Sequence, residues 1–342
     1  MDVAEMLSLD GSQGEGGGQI LRTALACSLL TRIPFSIEKI RAARHRPGLQ
    51  PQHLAAVRAA AEIANAATDG AILDSETLTF EPGEVRAGEY HFDIGTAGST
   101  GLVLQTVLLP LLSADGESRV VVEGGTHNEG APPFEFLVLS FAPLLRRMGA
   151  ELTLSLEKPG FHPMGGGRIR ALVGNATWRR LELPERGEIR SVWARALVSR
   201  LPLSIAHREL AVVEEGLDWP EESLTALAVD ADGPGNALIL VVESEQVTEV
   251  FAGFGRRGLP AEEVASQAVA KTRQYLHSGV AVGMHLADQL LVPLTQSRGG
   301  SLLTFEPSTH FTTNADIIRR FFDLNITIRP MEGNVVIDCR ME

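Results

Sequence analysis

Cysteine is nearly missing from this 342-residue chain: only Cys27 and Cys339 are present. Two thiols do not make a disulfide framework, and no Cys/His spacing resembles a zinc site. Lysine is almost as scarce. Lys39, Lys158 and Lys271 are the only lysines among 30 basic residues; the rest are arginines. Arginine's planar fork suits bidentate contact with phosphate, although for most surface arginines a genomic or thermal bias is the better account. No apolar run is long enough to span a membrane. The start carries Asp2 and Glu5 in place of an apolar signal region, so a cytoplasmic or nuclear location is expected, cytoplasmic first. Net charge is −13, which argues against coating long nucleic acid by phosphate neutralisation but leaves recognition of an end open. The glycine-rich loop over 11–18 matches neither common nucleotide fingerprint: no Gly-Lys-Ser/Thr follows it, and its glycine spacing misses G-x-G-x-x-G.

What is present begins near the start. A short apolar run over 6–9 leads into a loop with Gly11, Gly14, Gly16, Gly17 and Gly18. A helical pattern begins at Gln19, with Leu21, Leu25 and Leu29 on one face. Glycines let backbone N–H groups approach a ligand closely. A helix start adds unpaired donors and a partial positive charge, which together suit phosphate. Glu15 inside the loop would repel bare phosphate, and a divalent metal would resolve that conflict. Arg22, one turn into the helix, could reach the same phosphate. Glycines alone leave a flexible connector equally open.

The apolar content of 44% supports substantial cores, and the length suggests about two domains. Strands are expected over 35–40, 78–82 and 90–94, and an Ala-rich helix over 52–63. The cluster Arg41, Arg44, His45 and Arg46 lies between a strand and a helix, either as a solvated loop or as an anion site. From Ile94 to Gly101 a second glycine-rich turn leads into an apolar helix over 102–112, with Gln105 about where Arg22 sits in the first. A strand over 120–123, a loop over 124–133, a helix over 134–148 and a strand over 152–156 follow, and the glycines before Arg168 close an apparent third unit. The recurrence suggests duplicated α/β modules, or only the common use of glycine at such turns. The character changes over 183–277, read as an inserted small α/β domain. A fourth glycine-led helix runs over 283–294, then a polar loop over 307–314. Asn314 is expected to cap a helix over 315–322.

These residues resemble the RNA 3′-terminal phosphate cyclases. The likeness rests on the stretch from Gly11 to Arg22, on Arg41 and Arg44 with Pro47 and Gly48, and on Gly124, Gly125 and Thr126 with Ala131, Pro132 and Pro133. It continues through His285 to Leu290 and ends at Ser308, Thr309 and His310. It spans nearly the whole chain. It implies an α/β (α+β) fold of repeated modules, two helices on a four-stranded sheet. The main cyclase domain would be 1–182 with 278–342, and the insert 183–277.

The implied activity is ATP-dependent conversion of an RNA 3′-phosphate to a 2′,3′-cyclic phosphodiester. A histidine is adenylylated, AMP passes to the RNA phosphate, and the 2′-hydroxyl then displaces AMP. By this resemblance His310 is the nucleophile, and Asp288 orients its ring. Arg22, Gln105, Pro132, His285, Asp288 and Gln289 contact ATP. Arg41, Arg44 and Gln52 receive the RNA phosphate, and Glu15 holds a divalent metal, Mg2+ or Mn2+. The implied partners are ATP and RNA 3′-phosphate ends, with no membrane and with a homodimer left open. His285 stands where relatives stack a tyrosine on the base. A non-catalytic branch that acts in ribosome assembly and an enolpyruvyl-type transferase are the alternatives.

Overall fold

The computed structural model describes residues 5–341; Asp2 lies outside them. Strand β1 (Leu7–Asp10) is followed by helix α1 (Gly18–Thr31), β2 (Phe35–Glu38), α2 (Pro51–Ala64), β3 (Ala67–Asp69) and β4 (Leu78–Glu81). These strands form one sheet in the order β1-β2-β4-β3, the first pair parallel and the others antiparallel. The same plan recurs with β5 (Glu89–Asp93), α3 (Thr100–Leu112), β6 (Ser118–Gly124), a π-helical turn Phe136–Phe141 running into α4 (Ala142–Arg147), β7 (Ala150–Lys158) and β8 (Gly167–Ala176). Its order is β5-β6-β8-β7.

The third copy is split. It opens with β9 (Leu181–Leu183) and is interrupted by β10 (Ile189–Ser199), α5 (Ser204–Leu217), β11 (Leu224–Ala228), β12 (Gly235–Ser244), β13 (Thr248–Phe254) and α6 (Ala261–Ser278). It resumes with α7 (Met284–Gln296), β14 (Gly299–Thr304), α8 (Thr309–Phe321), β15 (Leu324–Met331) and β16 (Asn334–Met341). Its sheet order is β9-β14-β16-β15, with β9 and β14 parallel. The repeated-module reading therefore holds, with one change in the count. The apparent third unit, from the strand over 120–123 to the glycines before Arg168, is the second half of the second module and closes on the β7–β8 turn. Glycines at 165–167 serve that turn and do not open a new module.

Each sheet turns one face inward. In β8, buried Ile169, Ala171 and Val173 alternate with exposed Arg168, Arg170 and Leu172, the two-residue period of a half-covered strand. The helices of the three modules meet inside, with α1 packed against α2, α3 and α8. Leu21, Leu25 and Leu29 are at most 3% exposed, and burial of each contributes roughly 1.5–3 kcal/mol. The segment expected as an insert carries its own sheet, β11-β10-β12-β13. In its central β12, Leu238, Leu240 and Val242 pack with α5 and α6, while Ala237, Ile239 and Val241 join the main core. An apolar run buried on both faces suits that position.

One local expectation fails. Asn314 does not cap a helix starting at 315; α8 begins at Thr309 and the Ser308 hydroxyl accepts the N–H of Phe311 at 3.0 Å. Asn314 is buried at the second turn, where its amide serves tertiary bonds.

Candidate active site

The glycine loop between β1 and α1 is shaped by contact with two neighbours. Gly14 and Gly16 have φ of +55° and +56°, and a side chain at either would run into Thr313 or Ala43. Only glycine meets both demands at low cost. Thr313 Oγ1 accepts the N–H of Glu15 at 3.0 Å, which ties the loop to the first turns of α8. Glu15 Oε1 accepts the N–H of Gln19 at 3.3 Å, and its other oxygen pairs with Arg44.

His310 stands in the first turn of α8, on the exposed surface. Its Nδ1 lies 2.7 Å from Gln19 Oε1. Gln19 donates through Nε2 to both oxygens of Asp288, at 2.9 and 3.1 Å. Asp288 also accepts from Asn314 at 3.2 Å and from Gln289 at 3.4 Å. Gln289 Oε1 accepts from Gln105 at 2.8 Å. Thr23 donates to Asn314 at 2.6 Å. A polar chain thus runs through α8, α1, α7 and α3, and every helix in it comes from a different part of the sequence. Burial pushes the Asp288 carboxyl upward, against the donors from Gln19 and Asn314 and the nearby His310. The direct partner of the His310 ring is Gln19, with Asp288 one bond further back.

Arg22 projects beside this chain. Burial lowers its guanidinium to about 10, with the Glu15 and Asp288 carboxylates opposing the fall, so it remains a cation at neutral pH. A cavity of about 70 Å³ lies next to it, lined by Gln19, Arg22, Thr23, Gln105, Gln289 and Asn314 among others. Gln105 Oε1 is buried there without a hydrogen-bond partner among the described residues. A partly buried cation beside an orphaned polar atom fits an anionic, hydrogen-bonding ligand.

The arginine loop stands on the other side of Glu15. Arg41 has φ of +57° and donates to the carbonyls of Arg46 and, at 3.0 Å, Gly48. Left-handed backbone at an arginine is costly and clusters at functional sites. Arg44, His45 and Arg46 are exposed. Gln52 Oε1 accepts the N–H of Ser99 at 3.0 Å, joining α2 to the second glycine-rich turn. Pro132 lies in the loop after β6, with its carbonyl near Gly101 at the start of α3. His285 is exposed in the first turn of α7.

Two residues here escaped the sequence reading, Gln19 and His53. Buried His53 accepts the Gln50 N–H on Nδ1 at 3.3 Å, so its Nε2 carries the proton. Burial and then the cations Arg22, Arg41 and Arg44 push its pKa far down. It is therefore a neutral donor among three arginines. The capping signal was available, since position 53 is the third residue of α2; the arginine neighbours were not.

Among the described residues no cluster of three or more His, Cys, Asp or Glu side chains could hold a metal by itself. Glu15 is a lone carboxylate, 5% exposed at its side chain. That fits a cation shared with substrate phosphates, the usual mode for Mg2+. No helix among the described residues is long and apolar enough to cross a membrane.

A family model described as RNA 3′-terminal phosphate cyclase matches residues 13–328. The RNA 3′-terminal phosphate cyclase of Ectopseudomonas mendocina is 50% identical over 94% of this chain and 94% of its own length. Those of Ralstonia nicotianae and Salmonella enteritidis are 48% and 47% identical, over 98% of this chain and 97% and 99% of their own lengths. Among solved structures, the enolpyruvyl transferase NikO from Streptomyces tendae aligns over 49% of this chain and 33% of its own, at 16% identity and a TM-score of 0.30. That likeness is too weak to carry an argument. The family model, spanning nearly the whole chain, and the half-identical relatives together show that this chain belongs to the RNA 3′-terminal phosphate cyclase family.

Proposed function

We propose that this chain is a cytoplasmic, ATP-dependent RNA 3′-terminal phosphate cyclase that works through a covalent histidine–AMP at His310. Enzymes of this name, half identical over nearly the full length, support the class. The observation that carries the mechanism is the exposed imidazole of His310, held on one nitrogen by the buried Gln19–Asp288 pair. A neutral imidazole is a competent phosphorus nucleophile, and its phosphoramidate a good donor.

The steps are nucleotidyl transfers. His310 attacks the α-phosphorus of ATP and pyrophosphate leaves. An oxygen of the RNA 3′-phosphate then takes the adenylyl group from His310. The vicinal 2′-hydroxyl attacks the activated phosphate, closes the ring and releases AMP. Arg22 and Gln105 line the pocket for the triphosphate, with Gln289 holding Gln105 in place. Pro132 and His285 border the base. Arg41, Gln52 and His53 supply positive charge and donors for the RNA phosphate. Glu15 would hold the divalent cation, which neutralises developing charge on phosphate oxygens when bound. Arg44 is shared, because its pairing with Glu15 joins the metal and RNA sides. In this reading the insert, 183–277, does no chemistry and braces α7.

Incubation with α-labelled ATP and Mg2+ tests the mechanism. Acid-labile label is expected on the wild-type chain and on the peptide containing His310. His310→Ala should abolish it without changing the melting temperature. A folded wild type that takes no label would sink the covalent route and favour a binding role.

A further inference from the structure

We infer that Gln19 is a positioning residue that fixes the tautomer of His310 and keeps its adenylyl adduct reactive; this rests on the histidine–AMP reading. Gln19 is 8% exposed and spans the space between His310 and Asp288. Asp288 receives N–H donors from three amides, Gln19, Asn314 and Gln289. A carboxylate so surrounded acts as acceptor, so the NH2 end of Gln19 faces it. The carbonyl end then faces His310. A carbonyl only accepts, so Nδ1 must carry the ring proton. In the neutral ring the lone pair is left on Nε2, for which no protein partner is present among the described residues.

The choice of an amide has a chemical consequence. When Nε2 attacks, its lone pair forms the N–P bond. The bond from phosphorus to the bridging oxygen breaks, and its electrons leave with pyrophosphate. The proton on Nδ1 stays where it is, so the adenylylated ring is cationic. When an RNA phosphate oxygen attacks phosphorus, the N–P pair returns to Nε2 and the starting tautomer is regenerated. No proton moves at His310 in either step. A carboxylate against Nδ1 would favour imidazolium in the free enzyme and stabilise the cationic adduct. A neutral carbonyl does neither. Asp288 is thereby kept one residue away, where it orients Gln19 without touching the ring.

The test uses Gln19→Met, which keeps volume but cannot accept, and Gln19→Glu, which puts acid against Nδ1. Nitrogen-15 NMR of the histidine rings in the ATP-free protein reads the tautomer and titration of His310 directly. In the wild type the signal should report Nδ1–H and bare Nε2. In Gln19→Met that preference should be lost, and the rate of self-adenylylation should fall on the order of 10²-fold with little change in KM for ATP. In Gln19→Glu the acid limb of the labelling pH profile should move to higher pH, even if the new acid shares a proton with Asp288. Its isolated histidine–AMP should transfer AMP to RNA more slowly. A wild-type Nε2–H tautomer, or a folded Gln19→Met with unchanged tautomer and rate, overturns the inference. If the tautomer responds but no variant is ever labelled, the inference about the ring stands and the covalent route fails.

Discussion

Arg41 and Arg44 look interchangeable as two arginines of one loop, yet they are wired differently. Arg41 bonds carbonyls of its own loop, whereas Arg44 pairs with Glu15. Arg41→Ala should therefore spare self-adenylylation and reduce cyclisation of RNA 3′-phosphate about 10- to 100-fold, the weight of one charge-assisted hydrogen bond. Arg44→Ala should reduce both steps, because it also frees the candidate metal ligand. Separate assays of chain labelling and of cyclic product read the difference. Equal losses in the two steps for Arg41→Ala would remove it from the RNA side. His53 adds a donor without charge, which limits the repulsion among three neighbouring cations.

Helix α8 carries the proposed nucleophile, His310, in its first turn, so in that reading its start is a functional coordinate. Ser308 is its cap, and loss of such a cap costs about 1 kcal/mol. Ser308→Ala should lower the melting temperature by a few degrees and slow self-adenylylation, while Ser308→Asp should restore both. A variant with normal stability and slow labelling would point to a direct contact of the hydroxyl with substrate. The same helix presents Thr313 to the glycine loop and Asn314 to α7. The first two turns of α8 thus hold three separate parts of the site.

At the scale of the whole molecule, the insert holds the start of α7 in part through a buried acid. Glu249 of β13 is 2% exposed and accepts the N–H of Gly283, the residue before α7. Burial pushes its carboxyl up to about 8 from an ordinary 4.5. The folded state therefore binds this proton more tightly than the unfolded chain. The associated stability is fully present below about pH 4.5 and is lost as pH rises through about 8. Glu249→Gln should flatten the fall in melting temperature between about pH 5 and pH 9, leaving a smaller slope from Glu209, whose carboxyl burial lifts to about 7. An unchanged slope would mean that Glu249 is ionised in the fold. The neighbouring Tyr275 donates to the Ala281 carbonyl, so the insert grips the segment before α7 twice.

Much of this architecture was legible before any coordinates. The 3.6-residue spacing of Leu21, Leu25 and Leu29 and the alternation in the strands are local signals, as is the conformational freedom that glycine gives at tight turns. They locate the elements and the recurring turns, and the ordered motifs single out Glu15, Arg22, Asp288 and His310 as candidate site residues. The start of α8 was misplaced because Asn314 is as good a cap by type as Ser308, and only packing shows its amide to be occupied. The insert was legible, but the strand that opens the third module before it was not, because β9 is three residues long and its partner β14 follows the insert. Gln19 was passed over because a glutamine in a helix has no local mark of function. Its meaning comes from a partner 291 residues away. Period and backbone freedom belong to neighbouring residues, whereas the choice of hydrogen-bond partner for a buried polar group is made only when the helices of all three modules close on one another.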